Sequence, residues 1–164
     1  MDEAIKNYAI FERKDFGKIY ALEIDGFGNA LFMDDANVPN LLSIPYLGYT
    51  SYHDEVYKNT RKFSLSTANP WFNEGKFAKG IGGPHVGENK IWPLGLTMQA
   101  LTTDDDEEIF YCLKTLKNTH SGTGFIHESF DVNNPKDFSR SWFAWANTLF
   151  GELILHLYEK NQRF

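Results

Sequence analysis

Two long stretches, residues 66–91 and 118–140, carry neither helical nor strand periodicity yet are dense in aromatic side chains. Segments of that length without regular structure, inside a compact chain, are either functional or disordered. Trp71, Phe72, Phe77, Phe125, Phe130 and Phe138 favour order, because disordered segments are poor in such residues. The chain therefore has to fold as a scaffold that holds two ordered, chemically equipped loops, a common way to build a site.

The scaffold reads as four or five helices. Residues 38–49 have helical apolar spacing, with Pro39 tolerable in a first turn and Pro45 at a kink. Asp54 caps a helix to about residue 65, with Val56, Thr60 and Phe63 on one face. Trp92-Pro93 opens another, with Leu94, Met98 and Leu101 in register. The clearest covers 104–117. Thr103 is its N-cap, five acids from Asp104 to Glu108 crowd the positive end of the dipole, and Ile109, Cys112, Leu113 and Leu116 form its inner stripe. The last covers 141–161, with Trp142, Trp145, Ala146, Leu149, Phe150, Leu153 and Leu157 on one wide face, which places both tryptophans in the core. Before these helices, residues 18–24 read as a strand, 25–29 as a Gly-rich turn and 30–33 as a return strand, a small hairpin.

Composition narrows the function. A chain of 164 residues with 42% apolar content suits one domain over 1–164. Sixteen basic against 22 acidic residues leave a net charge of -6, which argues against a nucleic-acid partner. The single cysteine, Cys112, excludes an internal disulfide framework and a Cys-based zinc cluster. No apolar run approaches the roughly 20 residues of a membrane span, and Met1-Asp2-Glu3-Ala4 lacks the basic start of an export signal. A cytoplasmic location without membrane contact is the expectation.

Three clusters carry chemistry. In Met33-Asp34-Asp35-Ala36-Asn37 the paired carboxylates can share a proton, hold a metal or bind sugar hydroxyls; equally, one caps the next segment and the other is solvated. Lys79-Gly80-Ile81-Gly82-Gly83-Pro84-His85 fits neither nucleotide-loop pattern and reads as a tight loop presenting His85. Gly122-Thr123-Gly124-Phe125-Ile126-His127-Glu128-Ser129-Phe130 sets a carboxylate among aromatics, where it can serve proton transfer or simply bond backbone. Position 131 is Asp, so His127-Glu128 is not half of a zinc-binding H-E-x-x-H. A Ser-His-acid triad stays open. Trp71 and Trp92, in or beside the loops, suit either a sugar ring or the core. Acids, amides and indoles together fit a neutral, hydroxyl-rich ligand, and leave a hydrolase and a sugar-binding module as alternatives.

At this point the chain resembles a known family. Asp25-Gly26-Phe27-Gly28-Asn29, Met33-Asp34-Asp35-Ala36-Asn37-Val38-Pro39, Pro45-Tyr46-Leu47-Gly48 and Asn59-Thr60-Arg61 are similar to motifs of glycoside hydrolase family 125. So are Gly80-Ile81-Gly82-Gly83-Pro84-His85, Ile91-Trp92-Pro93, Gly124-Phe125-Ile126-His127-Glu128-Ser129-Phe130 and Trp142-Phe143-Ala144-Trp145-Ala146-Asn147. The resemblance implies an exo-acting α-1,6-mannosidase that works with inversion and needs no metal or cofactor. It implies a mainly α fold: part of an (α/α)6 barrel, with the short β-hairpin near the N-terminus. Its substrate would be a mannose-containing oligosaccharide.

By the same resemblance, Glu128 matches the family's general base. Asp34, Asp35, Asn37, His85, Trp92 and His127 fall in motifs that line the terminal-mannose pocket. Arg61 either joins them or forms a structural ion pair. A barrel of twelve helices, at about 10–14 residues each plus loops, needs far more than 164 residues. The chain thus resembles the C-terminal portion of the family's catalytic domain, and the family's general-acid aspartate would lie before residue 1. The expected partner is the N-terminal half of the barrel. The alternatives are a non-catalytic mannose-binding half-barrel and a purely structural one.

Overall fold

The structure, a computed structural model, describes residues 2–161. Within them five helices alternate with nine short strands. Helix α1 (Asp2–Tyr8) leads into two antiparallel hairpins, β1 (Ile10–Arg13) with β2 (Gly17–Tyr20) and β3 (Glu23–Ile24) with β4 (Ala30–Leu31). The second keeps the expected turn but only two residues of each expected strand, because residues 18–20 pair with β1 instead of returning onto 30–33. Asp25 closes its turn by accepting the N–H groups of Phe27 and Asn29, both at 2.8 Å. The first was not foreseen. It docks on α2 (Glu55–Ser64), where the Tyr20 N–H donates to Thr60 Oγ1 at 2.9 Å.

Residues 38–49 form irregular turns, not the expected helix. The reason is competition for backbone donors. The Asp34 carboxylate takes the N–H groups of Leu41 (2.9 Å) and Leu42 (3.1 Å), and the side chains of Asn40 and Ser43 bond each other's backbone. Pro39 and Pro45 supply no donor at all. Local side-chain bonds of this kind replace the helical ladder.

Helix α2 runs as expected from its Asp54 cap, which accepts from the Tyr57 N–H at 2.9 Å, to Leu65. Helix α3 (Pro93–Leu101) starts on its proline and is buried over eight of its nine residues, so it is the central helix. Helix α4 (Asp106–Asn118) is capped by Asp105, not Thr103. The Asp105 carboxylate accepts from the Glu107 N–H at 2.9 Å, and Thr103 Oγ1 accepts from the Asp105 N–H instead. An ionised acceptor at the positive end of the dipole outcompetes a hydroxyl.

The two stretches expected as loops hold five strands. β5 (Phe72–Glu74) pairs with β6 (Lys79–Ile81). β7 (Lys90–Ile91), from the first stretch, pairs with β8 (Ser129–Asp131), from the second, and β8 pairs with β9 (Asn134–Ser139). Each stretch thus supplies backbone partners to the other, and the fold is mixed helix and sheet, not mainly α.

Helix α5 (Ala144–Asn161) packs on α3 and closes a core built on Ile91, Leu96, Met98, Leu116, Phe130 and Leu153. Trp142 and Trp145, expected in that core, are 56% and 60% exposed. α5 is apolar around most of its circumference, and only the side carrying Ala146 and Leu153 faces inward. Cys112 is a free, buried thiol that burial pushes up to about 12. No helix among the described residues is long and apolar enough to cross a membrane.

Candidate active site

The first two clusters are zipped together. The Ala36 N–H donates to the Gly82 carbonyl at 2.9 Å, and Gly83 lies against the Asp35 side chain. Glycine is required at position 82, since a Cβ there would overlap the Lys90 carbonyl. Asn69, which the sequence did not single out, clips this junction. It is buried, accepts from the N–H groups of Asp34 (3.1 Å) and Trp71 (3.2 Å), and donates to the carbonyls of Asp34 and Ser64.

Asp34 is wholly buried, and its carboxylate holds the 41–42 backbone. Burial raises its pKa from the ordinary 3.8 to about 7, against the opposing pull of the Leu41 and Leu42 N–H groups. Asp35 and Asn37 are partly exposed, and Asp35 Oδ1 accepts from the Asn37 N–H at 2.7 Å. Asn37 Oδ1 is shielded and has no partner among the described residues. His85 stands exposed on the loop beyond Gly83.

Trp92 links these loops to the third cluster. Its N–H donates to the Ile81 carbonyl, and its ring meets Phe143 edge-on at 6.0 Å. The ring is buried, and its Nε1 finds no partner among the described residues. Phe143 in turn donates its N–H to Ile126 and lies under the Arg140 guanidinium at 5.7 Å. Asn147 of α5 clamps this corner. It accepts from the Ile126 N–H (3.1 Å) and donates to the carbonyls of Ile126 (2.7 Å) and Phe143 (2.8 Å).

Glu128 and His127, adjacent in sequence, point to opposite sides. His127 goes inward. It is buried, stacks on Phe138 at 3.8 Å, and shares a hydrogen bond with Thr123 Oγ1 at 2.9 Å. Burial, and secondarily His120, lowers its pKa below 6.5 and favours a neutral imidazole. Glu128 goes outward, with a side chain 15% exposed. Ser139 Oγ donates to its Oε2 at 2.9 Å, and Arg140 Nε sits 3.3 Å from Oε1. Ser139 also bonds Ser129 Oγ at 2.7 Å, so the donor is itself fixed. Arg140 has φ +45°, a left-handed backbone that a side chain of its size rarely adopts, and the guanidinium it carries sits at Glu128.

Sequence reasoning missed Ser139 and Arg140. In sequence they are an ordinary Ser-Arg pair, and only the β8–β9 pairing sets them beside Glu128. Arg61, by contrast, lies away from the cluster. It pairs with Glu108 at 3.0 Å and donates to the Gln99 carbonyl at 3.0 Å, which ties α2 to α3 and α4.

A carboxylate held on both oxygens, at the edge of loops rich in acids, amides and aromatics, has the donor and acceptor types that suit a hydroxyl-rich ligand. Comparison with known proteins agrees. The family of metal-independent alpha-mannosidases, glycoside hydrolase family 125, matches residues 1–155, and the chain belongs to that family. It is 53% identical over 161 residues to the meiotically up-regulated gene 157 protein of Schizosaccharomyces pombe, covering 98% of this chain and 32% of that one. A solved structure of a Streptococcus pneumoniae metal-independent alpha-mannosidase, in a non-productive complex with alpha-1,6-mannobiose, superposes with a TM-score of 0.91 at 51% identity. That match covers 94% of this chain and 36% of the other. The chain therefore spans about a third of its relatives' length, and corresponds to their C-terminal portion.

Proposed function

We propose that residues 1–164 form part of the catalytic domain of an inverting exo-α-1,6-mannosidase, with Glu128 as its general base. The observation that carries this is the grip on Glu128: a Ser139 hydroxyl on one oxygen and the Arg140 guanidinium on the other, with the side chain 15% exposed. A base must be held in one orientation to deprotonate a water lined up on the anomeric carbon. The family match and the alpha-1,6-mannobiose bound by the S. pneumoniae relative support the substrate class.

Inversion needs a second carboxyl group about 6.5–9.5 Å from the first, with the water between. No position here matches the family's general acid, so that aspartate comes from polypeptide outside these residues, the N-terminal part of an (α/α)6 barrel. Asp35, Asn37 and His85 reach sugar hydroxyls from the exposed side of the loops. Asp34 and His127 hold the loops from beneath, and Trp92 backs the Phe143 wall.

The test is mannose release from α-1,6-mannobiose. The isolated chain is expected to release none. The chain assembled with the N-terminal portion of a family member is expected to release β-mannose as the first anomer, read by proton NMR. Release by the isolated chain, or α-mannose as the first product, would overturn the proposal. Mannose binding by the assembly without turnover would favour a sugar-binding module instead.

A further inference from the structure

The loop that leads into Glu128 is built on an imidazole. His120 stands two residues beyond the end of α4. Its Nδ1 accepts the N–H groups of Gly122 at 3.1 Å and Gly124 at 3.3 Å, and its carbonyl accepts the N–H of Thr123 at 2.9 Å. Between 121 and 124 the backbone turns left-handed at Ser121 (φ +50°), Gly122 (φ +83°) and Gly124 (φ +75°). A side chain such as that of Ser121 is disfavoured there. Contacts have to hold the turn in place, and the His120 ring supplies two of them.

The turn passes this order on towards the base. The Thr123 hydroxyl has one proton, and its nearer carbonyl acceptor is that of His120 at 2.8 Å. The same oxygen accepts from the Phe125 N–H at 3.2 Å and meets His127 Nε2 at 2.9 Å. With its own proton spent on His120, the hydroxyl can only accept from His127, which is therefore protonated on Nε2. The other ring nitrogen, Nδ1, is buried and has no partner among the described residues. The His127 ring stacks on Phe138, and the next residue, Ser139, bonds Glu128 through both its hydroxyl and its carbonyl. Glu128 thus sits between two supports, β9 on one side and the His120 turn on the other.

We infer that His120 is a positioning residue: as a neutral acceptor it fixes the 121–127 turn and, through Thr123 and His127, aims Glu128. The effect on turnover rests on the mannosidase reading; the dependence of the turn on His120 does not. A proton on Nδ1 would set one N–H against two others and release the turn. Pro93 of α3, Leu116 and Thr119 of α4 and Phe138 of β9 pack around the two rings, and none of them titrates. The titratable group acting on His127 is His120 itself. The negative end of the α4 dipole, just before His120, is the nearby feature that favours a cation. The turn is therefore open to disruption by acid at this one ring.

The test has two arms. In the 164-residue chain, amide hydrogen exchange and nitrogen NMR read the turn. His120→Ala should strip protection from the Gly122 and Gly124 amides. His120→Asn should keep it, because an Asn side-chain oxygen accepts an N–H two residues on and does not titrate. As pH falls, the two glycine amide signals of the parent should move with the His120 ring nitrogens, and those of His120→Asn should stay flat. In the assembled enzyme, His120→Ala should lower kcat on α-1,6-mannobiose by about 10- to 100-fold, with KM changed by no more than about twofold. His120→Asn should restore the rate. His156→Asn, exposed on α5, should change neither readout.

Protection unchanged in His120→Ala, a rise in KM at constant kcat, or a lost rate that His120→Asn fails to restore in a folded chain would each overturn the assignment. An assembled enzyme that releases no mannose even with His120 intact would count against the mannosidase reading. Protection lost in His120→Ala and kept in His120→Asn would then still establish that His120 holds the turn.

Discussion

Replacing Asp34 by asparagine should change how the stability of this chain depends on pH. Asp34 is wholly buried, and burial lifts its pKa from 3.8 to about 7. In the unfolded chain the group ionises near 3.8, while in the folded chain it keeps its proton until about 7. The folded state thus binds more protons in that window, and its stability falls as pH rises through it. The contribution is fully present below 3.8 and lost by about 7. About three pH units at 1.36 kcal/mol each give a loss on the order of 4 kcal/mol. The amide does not titrate, but its NH2 cannot accept where the second oxygen of the carboxyl group can, so the Leu41 or Leu42 N–H is left unpaired at a cost of about 1–3 kcal/mol. The parent should therefore be the more stable protein at pH 4 and lose that lead by pH 8. Urea unfolding followed by tryptophan fluorescence at both pH values measures the difference directly. Two curves that run parallel from pH 4 to 8 would refute the argument.

Gly82→Ala should lower stability by roughly 1–3 kcal/mol, because its methyl overlaps the Lys90 carbonyl; an unchanged melting temperature would contradict this. Arg61→Leu should cost about 2 kcal/mol by stranding Glu108 and the Gln99 carbonyl, with no specific loss of sugar affinity in the assembled enzyme. Nitrogen NMR should find His127 titrating below 6.5, so its contribution to stability is full above that pH and declines as pH falls; a midpoint at or above 6.5 would contradict its burial.

The parts of this fold written in local patterns were legible. Asp54 announced α2, Trp92-Pro93 announced α3, and the acidic run announced α4, because caps and dipoles act within one helical turn. What depended on distant partners was not. Residues 38–49 have helical spacing, but the Asp34 carboxylate intercepts their donors. Residues 66–91 and 118–140 looked aperiodic because β7 and β8 pair across some 40 positions with only two or three residues each. Trp145 was misplaced for a related reason, since a helix apolar over most of its circumference does not say which side meets its own chain, and Trp142 falls before α5 begins at Ala144. In the site, Glu128 and the Asp34–Asn37 loop stood out by residue type. Ser139, Arg140 and Asn69, which help fix them, carry no sequence signature of their own and gain their roles only through tertiary contacts.

In the proposed mechanism Glu128 activates the water. That role stands or falls on the turnover of α-1,6-mannobiose by the assembled enzyme carrying Glu128→Gln. Glutamine keeps the shape and an acceptor for Ser139 but cannot take the proton. The kcat should fall at least 100-fold with mannobiose binding still measurable by calorimetry. A variant that keeps most of its rate would remove Glu128 from the base role.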